Sequence, residues 1–267
     1  MTRSPLAPLP LLALPPRPFP AVRWASAAVL VALGAGTVRA ARRLRAIPVL
    51  PMTAPAADWV PRAAEWRLFT SRGVEPDAAT FLAACAYADR EGLRVLDLLP
   101  ADLATERVLG LLRLVDPAGY RRDRLCEGRG AGFAVLVSEQ VLARAGLDPA
   151  EAHSTPAELQ ALLRRVKEYA SDATGLAVAP TLSCGPAPAA TGPARAAELR
   201  AQGLPPGAVA AAQLAGLALL AGVAVRQGRW GAAAAGLYWI QPYLALGRPD
   251  APLRPADLRL ATAARPV

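Results

Sequence analysis

Two long stretches without a single charged residue constrain this chain most. Gly207 to Val225 runs nineteen residues without a charge and Trp230 to Gly247 runs eighteen, with only Arg226-Gln227-Gly228-Arg229 between them. The hydrocarbon core of a bilayer takes about 20 residues of helix. Neither stretch carries the polar stripe that a helix lying on a soluble core presents to water. The pattern predicts a transmembrane helical hairpin over 207–247, kinked at Pro242, with Trp230 at an interface position. Two Ala-rich helices packed inside a soluble core are the alternative. A third uncharged run, Trp24 to Val38, is bracketed by Arg23 and Arg39. It is short for a span, although arginines at both ends can extend it by snorkelling. Arg39, Arg42, Arg43 and Arg45 follow at once, and so dense a basic cluster opposes export as a cleaved leader. Residues 21–45 are therefore expected to be an uncleaved N-terminal anchor with a basic flank.

The charge distribution agrees with that layout. The net charge is +9, of which residues 1–45 carry +7, residues 46–206 carry −2 and residues 207–267 carry +4. The excess sits beside the apolar segments, where anionic headgroups and the positive-inside bias place it. Membrane lipid is the expected partner, a protein partner is left open, and nucleic acid is not expected, because a nucleic-acid protein concentrates its charge on a folded face. Arg39, Arg42, Arg43, Arg45, Arg195, Arg200, Arg248 and Arg254 would lie on the side of the central domain, against Arg3, Arg17, Arg23, Arg226 and Arg229 on the other. That balance predicts a multi-pass protein of the cell membrane with a cytoplasmic central domain. All basic residues but Lys167 are arginine, and the Ala- and Pro-rich usage resembles that of a high-GC bacterial genome. The three cysteines, Cys85, Cys126 and Cys184, form no CxxC pair. They read as free thiols of a reducing compartment, with no metal site and no cofactor.

Proline divides the rest. Residues 1–20 read as a disordered Pro-rich tail, 46–62 and 183–206 as linkers, and 248–267 as a second tail. Between the linkers, 63–182 reads as a small, helix-rich α/β domain. Helices are expected over Pro61–Arg72, over Pro76–Arg90, and over Asp102–Val115 with Asp102 as its cap. A short helix should follow Ser138 and end at Gly146. Thr155-Pro156-Ala157-Glu158 is a capping box that opens a helix to about Ala170. Leu93–Leu99, Phe133–Val137 and Gly175–Ala179 read as buried strands.

The candidate chemistry is concentrated in Tyr120 to Gly132. Arg121, Arg122, Arg124, Gly128, Arg129 and Gly130 combine guanidinium forks with glycines that let backbone N–H groups approach an anion. A phosphate-bearing small molecule could bind there, although the glycines precede a strand and not a helix as in nucleotide-binding loops. Asp97, at the end of an apolar strand, is the best acid/base candidate. His153 is the only histidine and lies in a polar loop, and Ser183-Cys184 has no visible base.

The run Gly130-Ala131-Gly132-Phe133-Ala134-Val135-Leu136-Val137, continued by Val141 to Gly146, resembles a segment of the membrane-bound family 2 glycosyltransferases. In that family a Gly-rich strand precedes a short helix ending in glycine. Gln227-Gly228-Arg229-Trp230 is similar to the family's Q-x-x-R-W but is one residue short. The resemblance covers about a tenth of the chain. It implies a membrane-anchored protein acting on a nucleotide-sugar or lipid-phosphate substrate. No D-x-D is present, and the usual nucleotide-binding half is missing, so this would be a truncated or degenerate member. Without a complete catalytic constellation, a non-catalytic membrane or assembly component is the first expectation and the transferase-like protein the second.

Overall fold

The computed structural model describes residues 20–52, 65–117, 120, 130–148, 155–170, 172–184, 192–201, 203–226, 229–248, 250–255 and 257–258. Among them are eight helices and a four-stranded sheet. They run α1 (Pro20–Arg45), β1 (Trp66–Thr70), α2 (Ala78–Arg90), β2 (Val95–Pro100), α3 (Thr105–Leu114), β3 (Ala134–Ser138), α4 (Glu139–Ala145), α5 (Pro156–Ala170), β4 (Thr174–Ala179), α6 (Gly192–Ala201), α7 (Pro206–Arg226) and α8 (Arg229–Leu246). The class is mixed α/β, as the alternation of apolar runs and capped helices predicts.

The sheet order is β1-β3-β2-β4. β3 is antiparallel to both β1 and β2, while β2 and β4 are parallel. Residues 48–50 add a short parallel bridge, Val49 to Val178, along the β4 edge. Every residue of β2, β3 and β4 is buried, as a strand covered on both faces requires. On one face Phe69, Val95, Val135 and Val137 meet Val141, Leu159, Leu163 and Val166 of α4 and α5. On the other, Leu96, Leu98 and Leu136 meet α2, α3 and, from far along the chain, Leu44, Leu246 and Leu253.

Local signals hold well. Thr155 Oγ1 accepts the Glu158 N–H at 3.2 Å and Glu158 Oε2 accepts the Thr155 N–H at 3.0 Å, closing the capping box. Gly146 ends α4 at φ 61°, a conformation that favours glycine. Two expectations are corrected. Pro61–Arg72 is not a helix where it is described: Trp66–Thr70 is strand β1, because its aromatic residues pair with β3 and bury Trp66 and Phe69. Asp102 does not cap α3. Its carboxylate accepts from Ser183 Oγ and the Cys184 N–H, while Asp257 accepts from both the N–H and the hydroxyl of Thr105. The stretches read as linkers and tail contain ordered, core-facing residues: Ile47 and Leu50, Leu199 of α6, and Ala251 and Leu253.

Helices α1, α7 and α8 form a separate layer. α1 and α8 run parallel, since Gly36 faces Gln241 and, nine residues further along each, Arg45 approaches Asp250. Their C-terminal ends, Leu44 and Leu246, plug into the core of the α/β half. The expectation of one N-terminal and two C-terminal spans is not met by any helix alone. Among the described residues no single helix is long and apolar enough to cross a membrane, and α6 with Pro206–Gly222 meets that measure only as a pair bent by 112°. In α1 the uncharged run stops at Arg39, and in α8 Gln241-Pro242 interrupts the apolar sequence.

Candidate functional site

Asp97 lies in the middle of β2, not beyond its end. The register places it beside Val135 of β3 and Leu176 of β4, under α5. It is completely enclosed. Its Oδ2 accepts the Ala131 N–H at 2.8 Å, and Oδ1 makes no well-formed hydrogen bond among the described residues. Burial pushes its pKa up to about 7, opposed by the Ala131 N–H, the Lys167 ammonium and the Tyr120 phenol, each of which favours the ionised form. Lys167 is itself buried, with Nζ 3.7 Å from the centre of the Tyr120 ring. Gly130 closes the group: a Cβ there would collide with the Leu163 side chain and the Asp97 carboxylate.

Gly130 is the one anion candidate that lies inside the described residues. Arg121, Arg122, Arg124, Gly128 and Arg129 lie outside them, as do His153 and Cys126. Gly130 and Ala131 line a cavity of about 20 Å³ with Phe133, Gln160, Arg107 and Arg195, room for little more than one water-sized group. Arg107 Nη2 binds Glu198 Oε1 at 2.8 Å, and Arg195 Nη1 binds Glu198 Oε2 at 3.0 Å. Two guanidiniums thus share one buried carboxylate, and Arg107 also stands 5.4 Å from the centre of the Phe133 ring. No cluster of three or more His, Cys, Asp or Glu able to hold a metal occurs among the described residues.

Sequence reasoning found Asp97 and Gly130 and missed Lys167, Gln160, Arg107, Arg195 and Glu198. One signal was present: Gln160, Leu163 and Lys167 lie at i, i+3 and i+7, so the amide and the only lysine fall on the apolar face of α5. Arg195 and Glu198 are an i,i+3 pair on α6, a local signal, but nothing local marks Arg107, which joins them from a helix some ninety residues earlier. Compared with known protein families, with curated proteins and with solved structures, the chain matches none.

Proposed function

We propose that this chain is an integral membrane protein whose α1, α7 and α8 together enter the bilayer and hold a non-catalytic α/β domain at the cytoplasmic surface as part of an assembly. The observation that carries this reading is the outward-facing apolar surface of the helical layer. Trp24 is 75% exposed, Val31 69%, Leu214 66%, Leu219 55% and Ile240 50%. An apolar surface of this kind marks an interaction site, and no charged residue lies between Gly207 and Val225 to solvate it. The three helices enter as a layer, since none among the described residues is long and apolar enough to cross a membrane alone. Arg39, Arg42 and Arg45 lie at the α/β end of α1, where anionic headgroups of the inner leaflet would meet them.

The test is fractionation of the tagged full chain with a carbonate wash, followed by protease treatment of spheroplasts and of inverted vesicles. Retention in the pellet, with the α/β half shielded in spheroplasts and cut in inverted vesicles, is the expected result. Release by carbonate overturns the reading. Replacing Leu214 and Leu219 together by Arg should then release the chain, since each arginine near a span's centre costs roughly 3 kcal/mol of insertion.

A second reading, a degenerate glycosyltransferase-like protein, draws support from one observation. Ala134–Ser138 is a buried strand leading into a short helix that ends on a left-handed glycine, the unit that the resemblance describes. It requires a nucleotide-sugar to raise the melting temperature and Arg129→Ala to abolish that shift.

A further inference from the structure

We propose that the cleft at the C-terminal end of α8 binds the headgroup of an anionic phospholipid, with Arg248 and Arg254 on its phosphate. The inference deepens the membrane reading and rests on it for the source of the ligand. The cleft is lined by Leu246, Gly247, Arg248, Arg254, Pro255 and Leu258 and has a volume of about 370 Å³. Small-molecule sites span about 300–1,000 Å³, so a phosphate with its glycerol fits. The lining joins two guanidiniums to an apolar wall, and no acidic side chain takes part among the described residues. An amphiphilic anion suits that combination. Arginine forks match phosphate oxygens, while Leu246, Pro255 and Leu258 favour the hydrocarbon beside them.

The backbone that carries the arginines is fixed. Gly247 lets the chain turn tightly off α8, because a Cβ there would stand 2.6 Å from the Tyr243 carbonyl oxygen. The Ala251 N–H donates to the Arg248 carbonyl at 3.1 Å, and the Arg254 N–H donates to the Ala101 carbonyl at 2.9 Å. Leu253 anchors the segment with no exposed surface. The carboxylates of this segment face elsewhere: Asp250 lies 4.0 Å from Arg45, and Asp257 accepts from Thr105. Helix α8 points its C-terminal carbonyls at this end, the equivalent of about half a negative charge. Two guanidiniums outweigh it and leave the cleft cationic. The Arg45–Asp250 contact also sets the cleft beside the end of α1, at the level where Arg39, Arg42 and Arg45 would meet headgroups. Basic pockets at the cytoplasmic ends of membrane helices are suited to anionic headgroups.

The experiment is titration of the purified full chain in a neutral detergent, which presents no anionic surface of its own. Short-chain phosphatidylglycerol is compared with short-chain phosphatidylcholine, whose choline brings a cation to the arginines. Native mass spectrometry and the melting temperature are the readouts. One phosphatidylglycerol per chain should bind, about tenfold more tightly than phosphatidylcholine, the value of one charge-assisted hydrogen bond. Arg248→Gln combined with Arg254→Gln should erase that preference. Arg39→Gln combined with Arg42→Gln removes the same charge from the same end of the layer, outside the cleft, and should keep it. Equal binding of the two lipids by the unaltered protein overturns the proposal, as does an equal loss in the two double variants. Glycerol phosphate binding as tightly as phosphatidylglycerol overturns it too, since the ligand would then be a soluble phosphate. Release of the chain by carbonate is a separate failure, that of the membrane reading, and is seen without any added lipid.

Discussion

The two halves of this molecule use apolar residues in opposite senses. In the α/β half they point inward: Leu96, Leu98, Leu136 and Leu163 have no exposed surface. In the helical layer several large apolar side chains point outward, and most described positions of α7 are exposed. High hydrophobicity is shared by both halves and so says little by itself. What separates them is whether the apolar residues recur at a period that selects one face. In α5, Leu159, Leu162, Leu163 and Val166 do so and define a core-facing stripe. In α7 nearly every residue is apolar or small, so no single face is marked for burial.

The sharpest way to break that contrast concerns the one carboxylate buried in the inward-facing half. The folded state holds the Asp97 proton up to about pH 7, whereas its unperturbed pKa is 3.8. The folded state therefore binds more protons than the unfolded chain between roughly pH 4 and pH 7, and stability falls as pH rises through that window. The loss is on the order of 4 kcal/mol if the whole shift is expressed. Denaturant unfolding of the wild type and of Asp97→Asn across pH 4 to 8 checks it. The two curves should diverge as pH falls, with the wild type gaining stability towards acid relative to the variant. Parallel curves would mean that Lys167 and Tyr120 hold Asp97 ionised throughout.

A pair of truncations compares the halves directly. Leu136→Ala empties a fully buried position in the central layer and should cost about 3 kcal/mol. Leu219→Ala removes the same atoms from an exposed position of α7 and should change stability by less than about 0.5 kcal/mol. Similar losses at both sites would show that α7 is covered by another protein surface and not by lipid or solvent.

The fold was legible wherever a local interaction decides it. Thr155 and Glu158 satisfy each other within one turn, Gly146 stops α4 by its own backbone freedom, and β2, β3 and β4 announce themselves as short apolar runs. β1 was not legible, because Arg62-Ala63-Ala64-Glu65 before it has helix-forming composition and the strand state of Trp66–Thr70 is imposed by pairing with β3 about seventy residues later. The candidate site divides in the same way. Asp97 stands out as a charge inside an apolar run, but the Ala131 N–H and Lys167 reach it only through the tertiary fold. Arg107 and Arg195 look like ordinary helix-surface residues until Glu198 is seen to bind both.

A further test lies where the two halves join. α8 delivers Ala245 and Leu246 to the core, and the following segment buries Ala251 and Leu253 before Asp257 reaches α3. The residue at the start of that helix, Ala104, has no side-chain acceptor, so its first N–H groups depend on a carboxylate from another part of the chain. Asp257 supplies it at 2.8 Å to the Thr105 N–H and 2.9 Å to the Thr105 hydroxyl. Asp257→Ala should therefore cost about 1 kcal/mol and raise amide exchange at Thr105 and Glu106, while Asp257→Asn, which keeps an acceptor, should cost less. Asp102→Ala should leave exchange at Thr105 unchanged and loosen Ser183 and Cys184 instead. If Asp102→Ala frees Thr105 and Asp257→Ala does not, α3 is capped by its own sequence neighbour, and the α8 segment contributes only its apolar contacts to the junction.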